Sequence, residues 1–307
     1  MEAIFPAAFA LFGLAFGSFL NVCIYRLPLG LSVVYPGSAC PNCKRGIKPY
    51  DNVPVLSWLW LRGRCRNCRI AISPRYMIVE LLTSALFVAC YLKFGLSLAA
   101  LKFCAFSFLI LGLIFTDAEH KLLPDTMTIP GLILGLLLSL LVPVQDLLVD
   151  LFPGLAWGQP PVLSWRLLSL MEAGLGAAAG ASFIFGVGAI YKSARGMDGM
   201  GFGDVKLMAM VGAFLGLKLT VFTIFAGSLT GSFFGLGTML VVWWKRTRRR
   251  MSRNHESWLA ARQRAWHSAR MVYRFYQMPF GVFLGGMAIV ALFFGNALMH
   301  WYWGFYR

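Results

Sequence analysis

The stretch Gly201-Phe202-Gly203-Asp204 lies between two apolar runs, and its carboxylate stands at the mouth of the second run. An aspartate at the end of an apolar helix is costly to place near a bilayer, so its presence indicates a function. The two glycines allow another backbone or a bound molecule to approach closely. Asp117 occupies a comparable position, because it ends the earlier apolar run 98–116. We therefore interpret the chain as organised around two aspartates, each at the end of an apolar segment.

The composition excludes a soluble globular protein. Hydrophobic residues make up 59% of the 307 residues, and the mean hydropathy is +0.70. A soluble fold would need more polar surface than such a chain offers. The net charge of +16 would indicate nucleic-acid binding in a soluble protein. Here the Lys and Arg residues lie in short loops between apolar runs, so we expect them to set membrane topology and expect no nucleic-acid partner.

The apolar runs predict an all-α polytopic membrane protein with about eight transmembrane helices. The predicted spans are 5–25, 76–92, 98–116, 127–144, 167–191, a short span that ends at 217, 220–244 and 280–300. No positive n-region precedes the first run, so we expect a retained span in place of a cleavable signal peptide. Small residues at four-residue spacing, Gly13 and Gly17, predict close helix packing in this first span.

The charges of the loops predict the orientation of the spans. The loop 26–75 holds nine Lys or Arg residues and one acid, and the segment 245–277 holds ten and one. The positive-inside rule makes both segments cytoplasmic and both termini periplasmic. This orientation places Asp117 and Asp204 at the same, cytoplasmic, face. The loop charges give this orientation without any use of Asp117 or Asp204. That both aspartates nevertheless fall on one face is independent support for pairing them.

The loop 26–75 also contains two Cys-x-x-Cys pairs, separated by 21 residues. The four cysteines are Cys40, Cys43, Cys65 and Cys68. This spacing predicts a four-thiolate zinc site that is structural, because four protein ligands leave no open position for water. Two disulfides are the alternative, which a reducing cytoplasmic face disfavours. The chain then divides into a first transmembrane helix (1–25), a zinc-binding domain (26–75) and a membrane domain (76–307) that carries both aspartates.

Several other residues have simpler interpretations. Cys23, Cys90 and Cys104 lie in or beside apolar runs and are expected to be inert packing residues. Glu80 is as readily an interfacial or capping carboxylate as a catalytic one. Asp125, after Pro124, suits an N-cap of the next span. We expect Glu119, His120 and Lys121 to be solvated loop residues. The basic segment 245–277 is interpreted as containing an amphipathic helix, 257–276, that lies on anionic lipid.

Two carboxylates within hydrogen-bond reach cannot comfortably both ionise, so they share a proton. The ionised member can take a proton from water while the protonated member polarises a carbonyl, and water then attacks an amide without a covalent intermediate. Asp204 would lie at a helix N-terminus, which favours its charged form. We therefore assign it as the base and Asp117 as the initial acid. This chemistry predicts an intramembrane aspartyl protease.

Three alternatives remain open on the residues alone. Asp117 and Asp204 could be ordinary helix caps at the membrane surface. A transporter could use paired intramembrane acids, although carriers place such sites near the midplane. A zinc-ribbon membrane scaffold without chemistry would leave Gly201-Phe202-Gly203-Asp204 unexplained.

Motifs along nearly the whole chain, in order, resemble those of the bacterial type IV prepilin peptidases, which are G-x-G-D aspartyl proteases. The matching segments are Gly-Ser-Phe-Leu-Asn-Val at 17–22, Tyr-Arg-Leu-Pro at 25–28, the tetra-cysteine loop, Arg75-Tyr76 to Thr83, Asp117 with Leu123-Pro124-Asp125, Gly201-Phe202-Gly203-Asp204-Val205-Lys206-Leu207, and Pro279-Phe280-Gly281. Two features depart from this pattern. Val282 stands where the family commonly has proline, and the segment 245–277 is long for the family.

The resemblance implies an activity and a site. It implies that the basic leader of type IV prepilins or type II secretion pseudopilins is removed after a glycine. It implies that Asp117 and Asp204 are catalytic, with Gly201, Gly203 and Lys206 in support, and that the four loop cysteines bind zinc. It also implies N-methylation of the new N-terminus with S-adenosylmethionine, for which the residues themselves offer no dinucleotide-type glycine loop.

Overall fold

The computed structural model describes residues 4–144, 162–196, 201–254, 257–275 and 278–304, and helices dominate throughout these ranges. The α-helices are α1 (Ile4–Arg26), α2 (Leu56–Trp60), α3 (Arg75–Phe94), α4 (Leu98–His120), α5 (Asp125–Ser139), α6 (Val162–Arg195), α7 (Phe202–Asn254), α8 (Trp258–Phe275) and α9 (Phe280–Gly304). Two short 3-10 helices lie in the cysteine loop region, at Leu27–Leu29 and Pro49–Asp51. In the described ranges, β-structure is limited to two isolated antiparallel bridges.

Six of the described helices are long and apolar enough to cross a membrane, namely α1, α3, α4, α6, α7 and α9. The helix α5 is apolar but shorter, with 15 residues. The chain is therefore a multi-pass helical membrane protein, as the composition predicts. Many large apolar side chains on these helices are exposed, for example Phe12 and Phe233. Such exposure is expected where the surrounding solvent is lipid.

The first and third helices pack through the predicted pair of small residues. A Cβ atom placed on Gly13 would lie 2.5 Å from the Cα atom of Ser84, and one placed on Gly17 would lie 2.7 Å from the Cα atom of Glu80. Each glycine therefore lets the two backbones touch. Close packing at these two positions confirms the prediction and fixes the start of α3 beside α1.

The helical segment α7 reverses direction at Gly216, whose φ of +79° and ψ of 178° are not helical. Residues on both sides of Gly216 meet the same glycine of α6, which shows the reversal. A Cβ atom placed on Gly180 would lie 2.6 Å from the carbonyl oxygen of Met208 and 2.9 Å from the Cγ2 atom of Thr220. A straight helix would separate residues 208 and 220 by about 18 Å. The predicted sixth and seventh spans are therefore the two arms of α7.

The second arm of α7 continues past the start of α9. Phe234 of α7 packs against Phe283 of α9, with ring centroids 5.3 Å apart and the rings tilted by 49°. Twenty further residues of α7 follow Phe234, and this part of α7 packs against α8, where the ring centroids of Trp243 and Trp266 lie 5.9 Å apart. The alanines of α8 that recur at four-residue spacing, Ala261, Ala265 and Ala269, are buried. The amphipathic helix predicted at 257–276 thus forms a helical hairpin with the end of α7, and its alanine stripe serves helix packing.

Helix packing at the reversal generates a stability prediction. A Cβ atom on Gly212 of α7 would overlap the backbone carbonyl of Gly176 in α6. We expect Gly212→Ala to lower the free energy of unfolding by about 1–3 kcal/mol, because backbone cannot give way as a side chain can. The measurement is the thermal unfolding midpoint of the full-length protein in detergent.

Gly237→Ala is the matched control, since Gly237 also lies in α7 and a Cβ atom there would meet no atom of the described residues within 4 Å. Replacing glycine inside a helix at such a site should hold the midpoint or raise it. A Gly212→Ala protein as stable as the Gly237→Ala protein would contradict the packing described here.

Candidate active site and metal site

The two aspartates lie at helix ends and line one cavity. Asp117 is in the last turn of α4, and Asp204 is in the first turn of α7. Both side chains are buried, with relative exposures of 5% and 8% for the two residues. The cavity between them has a volume of about 190 Å³. It is otherwise lined by Lys121, Leu122, Leu123, Asp125, Gly201 and Gly203. The structure therefore brings together two carboxylates that are 87 positions apart in the sequence.

The start of α9 holds the carboxylate of Asp117. The backbone N–H of Val282 donates a hydrogen bond to Oδ2 of Asp117, at 3.0 Å. Gly281 permits this approach, because a Cβ atom there would lie only 2.9 Å from Oδ2. The N–H groups of a first helical turn have no partners within the helix, and the helix dipole favours an anion at this end. A proline at position 282, the common family residue, would have no N–H to donate.

The site residues that the sequence reasoning missed are Gly281 and Val282. Pro279-Phe280-Gly281 contributed to the family resemblance but received no role of its own. The available signal was a proline and a glycine at the beginning of an apolar run. A proline suits a helix start, and a glycine suits a close approach by another group.

The glycines on either side of Phe202 have different surroundings. A Cβ atom on Gly203 would lie 3.0 Å from the Cβ atom of Leu123, so this glycine allows α7 to approach the loop after α4. Among the described residues, a Cβ atom on Gly201 would meet only Oδ2 of Asp204, at 3.7 Å, and the backbone nitrogen of Gly203, at 3.9 Å. Gly203 therefore closes the packing under the cavity, while Gly201 leaves space beside the Asp204 carboxylate.

Asp125, which lines the cavity, forms an ion pair with Lys206. The Nζ atom of Lys206 lies 2.6 Å from each carboxylate oxygen of Asp125. The N-cap expectation for Asp125 is wrong by one position: Pro124 occupies the N-cap, and Asp125 is in the first turn of α5. An acid in the first turn is favourable, and here it also ties α5 to α7. Lys206 thus supports the cavity wall, with its ammonium group directed to Asp125.

Two carboxylates outside the cavity connect neighbouring elements. Glu80 of α3 binds the cysteine loop, and Glu119 of α4 binds the start of α3. The buried Glu80 accepts a hydrogen bond from the backbone N–H of Val55, at 2.7 Å. Glu119 forms an ion pair with Arg75, the first residue of α3. Glu119 and His120 are exposed, as expected, but they belong to the last turn of α4, so their assignment to a loop is wrong.

The four cysteines form a cluster that could hold a metal ion. Their Sγ atoms all lie within 4.8 Å of one another, and those of Cys40 and Cys68 are 3.7 Å apart. Four sulfur atoms about 2.3 Å from a tetrahedral zinc ion are separated by about 3.8 Å, so the donor set fits zinc. The backbone N–H of Ile70 lowers the pKa of the Cys68 thiol. A thiolate is the form that binds a metal.

Each Cys-x-x-Cys pair is a knuckle with the same backbone hydrogen bonds. In the first, the N–H of Cys40 donates to Arg45, and the N–H of Lys44 donates back to Cys40. In the second, Cys65 donates to Ile70, and Arg69 donates back to Cys65. Lys44 and Arg69, each directly after a second cysteine, both have a positive φ, +57° and +59°. The two halves therefore present their sulfur pairs in equivalent turns.

Known protein families and relatives match the sequence along most of the chain. The Bacterial Peptidase A24 N-terminal domain matches residues 11–94, and the Type IV leader peptidase family matches residues 103–236. A prepilin leader peptidase/N-methyltransferase from Aeromonas hydrophila is 33% identical over 316 residues, covering 95% of this chain and 91% of the relative.

Two more relatives carry the same name. The protein from Myxococcus xanthus (strain DK1622) is 37% identical over 240 residues, covering 77% of this chain and 65% of the relative. The protein from Neisseria gonorrhoeae is 34% identical over 246 residues, covering 72% and 78%. No solved structure matches the chain. The two family matches, together with relatives that align over most of its length, place the chain in the type IV leader peptidase family.

Proposed function

We propose that this protein is an intramembrane aspartyl endopeptidase that removes the basic leader of type IV prepilins or type II secretion pseudopilins, cutting after a glycine. One observation carries the proposal: Asp117, at the end of α4, and Asp204, at the start of α7, are both buried and line one cavity. Family membership and the names of the relatives support the substrate class. The transporter and scaffold alternatives are not favoured, because they account for neither the cavity nor the family.

The proposed reaction needs one proton shared between the two carboxylates. The ionised carboxylate takes a proton from a water molecule. The protonated one donates to the carbonyl oxygen of the scissile amide, and because a helix start faces each carboxylate, Asp117 and Asp204 hold the shared proton as a pair. The tetrahedral intermediate then collapses: the carboxylate that took the water proton passes it to the leaving amine, and the other carboxylate takes its proton back as the carbonyl re-forms. In this scheme Gly201 leaves room for the substrate backbone, Gly203 seats α7 against Leu123, and the Lys206–Asp125 pair fixes the cavity wall.

The membrane position of the site follows from the loop charges. We place the protein in the bacterial inner membrane, with the aspartates at the cytoplasmic face and both termini in the periplasm. A leader of basic residues stays in the cytoplasm, so a cavity at this face meets the junction between leader and apolar helix. Cysteine accessibility labelling from either side of the membrane tests this orientation, and periplasmic labelling of a cysteine introduced next to Lys206 would refute it.

The relatives' names also support a second activity, N-methylation of the newly exposed N-terminal residue. S-adenosylmethionine is the cofactor that the family resemblance implies, and it would supply the methyl group. Mass spectrometry of the cleaved product with and without S-adenosylmethionine tests this activity. A product that never gains a methyl group would limit the protein to proteolysis.

Anionic lipid is the partner proposed for the hairpin of α7 and α8. Its aromatic side chains are flanked by arginines: the guanidinium of Arg248 lies 4.1 Å from the ring centroid of Trp244, and that of Arg262 lies 5.0 Å from that of Trp258. Such mixed aromatic and basic surfaces suit a lipid headgroup layer. Amide exchange over 257–275 should be slower in phosphatidylglycerol nanodiscs than in phosphatidylcholine nanodiscs. Equal rates would contradict the proposal.

Replacement of either aspartate by asparagine tests the catalytic pair. Asparagine keeps the size of the side chain and removes the titratable proton, so we expect Asp117→Asn and Asp204→Asn each to lower cleavage of a prepilin-like substrate about 100-fold or more. The assay uses the full-length protein in detergent, with its abundance checked in the membrane. Asp51→Asn is the matched control, because Asp51 pairs with Arg66 in the cysteine loop and lies outside the cavity. Near-normal cleavage by one cavity variant would make that aspartate a helix cap.

Replacement of two metal ligands tests the role of the cysteine cluster. We propose that it binds zinc and that the metal stabilises the loop 26–75. Cys40→Ser with Cys43→Ser should therefore remove bound zinc, measured by elemental analysis, and lower the amount of protein in the membrane. The same double change at Cys90 and Cys104, which lie outside the cluster, should leave the zinc content unchanged. Normal abundance with selective loss of one activity would assign the metal a different role.

A further inference from the structure

Leu123 forms an apolar wall of the cavity at the point where three elements meet. It lies in the short loop between α4 and α5, six residues after Asp117, and is only 8% exposed. It lines the same cavity as both aspartates. Its position is therefore next to the place where a scissile carbonyl would have to lie.

The Leu123 side chain is held from two sides by glycines. A Cβ atom placed on Gly203, at the start of α7, would lie 3.0 Å from Cβ and 3.3 Å from Cδ1 of Leu123. A Cβ atom placed on Gly281, at the start of α9, would lie 3.2 Å from the same Cδ1 atom. Gly203 precedes Asp204, and Gly281 lies against the carboxylate of Asp117. Leu123 thus contacts the start of α7, which carries Asp204, and the start of α9, which binds the carboxylate of Asp117.

This packing makes the wall rigid. A leucine side chain on an open surface could change rotamer to admit a larger group. Here movement towards either glycine would drive the side chain into the backbone of α7 or α9, and close-packed interiors resist such shifts. An extra methyl group that enters the cavity beside Leu123 therefore has to be accommodated by the substrate.

We propose that Leu123 is the residue that restricts the substrate position on the amino side of the cut to glycine. The inference rests on the proposed function, because it requires that the aspartates cleave a peptide bond in this cavity. With the carbonyl between the two carboxylates, the Cα atom of the same substrate residue must lie beside the cavity wall. Glycine places only hydrogen there, whereas alanine places a methyl group against a wall that cannot retreat. Discrimination by one methyl group in a fixed pocket is worth about 10–200-fold.

A competition assay measures this selectivity directly. Two prepilin-like substrates, identical except for glycine or alanine before the cut, are mixed with the full-length protein in detergent, and both products are quantified. We expect the wild type to prefer glycine strongly and Leu123→Ala to raise the ratio of alanine to glycine cleavage about tenfold or more. Because both substrates meet the same enzyme molecules, the ratio does not depend on how much protein has folded.

Leu219→Ala is the matched control. Leu219 is also buried, at 9% exposure, and also packs against a glycine, since a Cβ atom on Gly295 would lie 2.6 Å from its Cδ2 atom. It does not line the cavity. This variant loosens the core to a similar degree and should keep the wild-type ratio.

Leu123→Val is a smaller truncation that replaces Leu123→Ala in the assay if the alanine variant does not accumulate in the membrane. It should raise the ratio of alanine to glycine cleavage by less than Leu123→Ala. A ratio unchanged in the folded Leu123 variants, or raised equally by Leu219→Ala, would overturn the inference. Loss of all cleavage in both Leu123 variants at normal abundance would also overturn it, because a wall that only selects is not needed to cut after glycine. A wild-type protein that cuts neither substrate would instead refute the proposed function.

Discussion

The hydrogen bond from the N–H of Val282 to the Asp117 carboxylate is the interaction on which the site depends. A carboxylate buried at the end of a membrane helix needs donors, and the first turn of another helix is where unpaired N–H groups are available. The start of α9 can approach only because Gly281 has no side chain. Packing of α9 along the second arm of α7, with Leu284 against Gly227, then fixes that approach. The hydrogen bond to Asp117 and the packing of α9 against α7 together hold the start of α9 beside the site.

Close approach or a turn at a glycine recurs where the position of an aspartate is set. Gly203 seats the start of α7 against the loop after α4, and Gly216 turns the chain so that both arms of α7 reach α6. In lipid, apolar side chains gain little from contacting one another instead of lipid tails, so close backbone contact is a main source of helix association. The small residues therefore do in this protein what large apolar residues do in a soluble core.

The cysteine loop is attached to the membrane helices by polar contacts. Glu80 accepts from Val55 in the loop, and Arg75 at the start of α3 pairs with Glu119, two residues beyond Asp117. Asn21 of α1 also donates to the carbonyl of Tyr76, at 2.9 Å. These bonds connect the loop to the end of α4 that carries the first aspartate. A metal that rigidifies the loop would therefore also support the neighbourhood of the site.

Sequence patterns predict the helical membrane class, the four-cysteine cluster, the packing of Gly13 and Gly17, and the two aspartates as a candidate pair. These features are local, since hydrophobic period, ligand spacing and loop charge can be read from neighbouring residues. Helix packing reveals four further contacts: the N–H of Val282 on Asp117, the ion pair of Asp125 with Lys206, the hydrogen bond from Val55 to Glu80, and the position of Leu123 between two glycines. Each of these contacts joins residues far apart in the chain, and their partners follow from how helices pack, which no local pattern encodes.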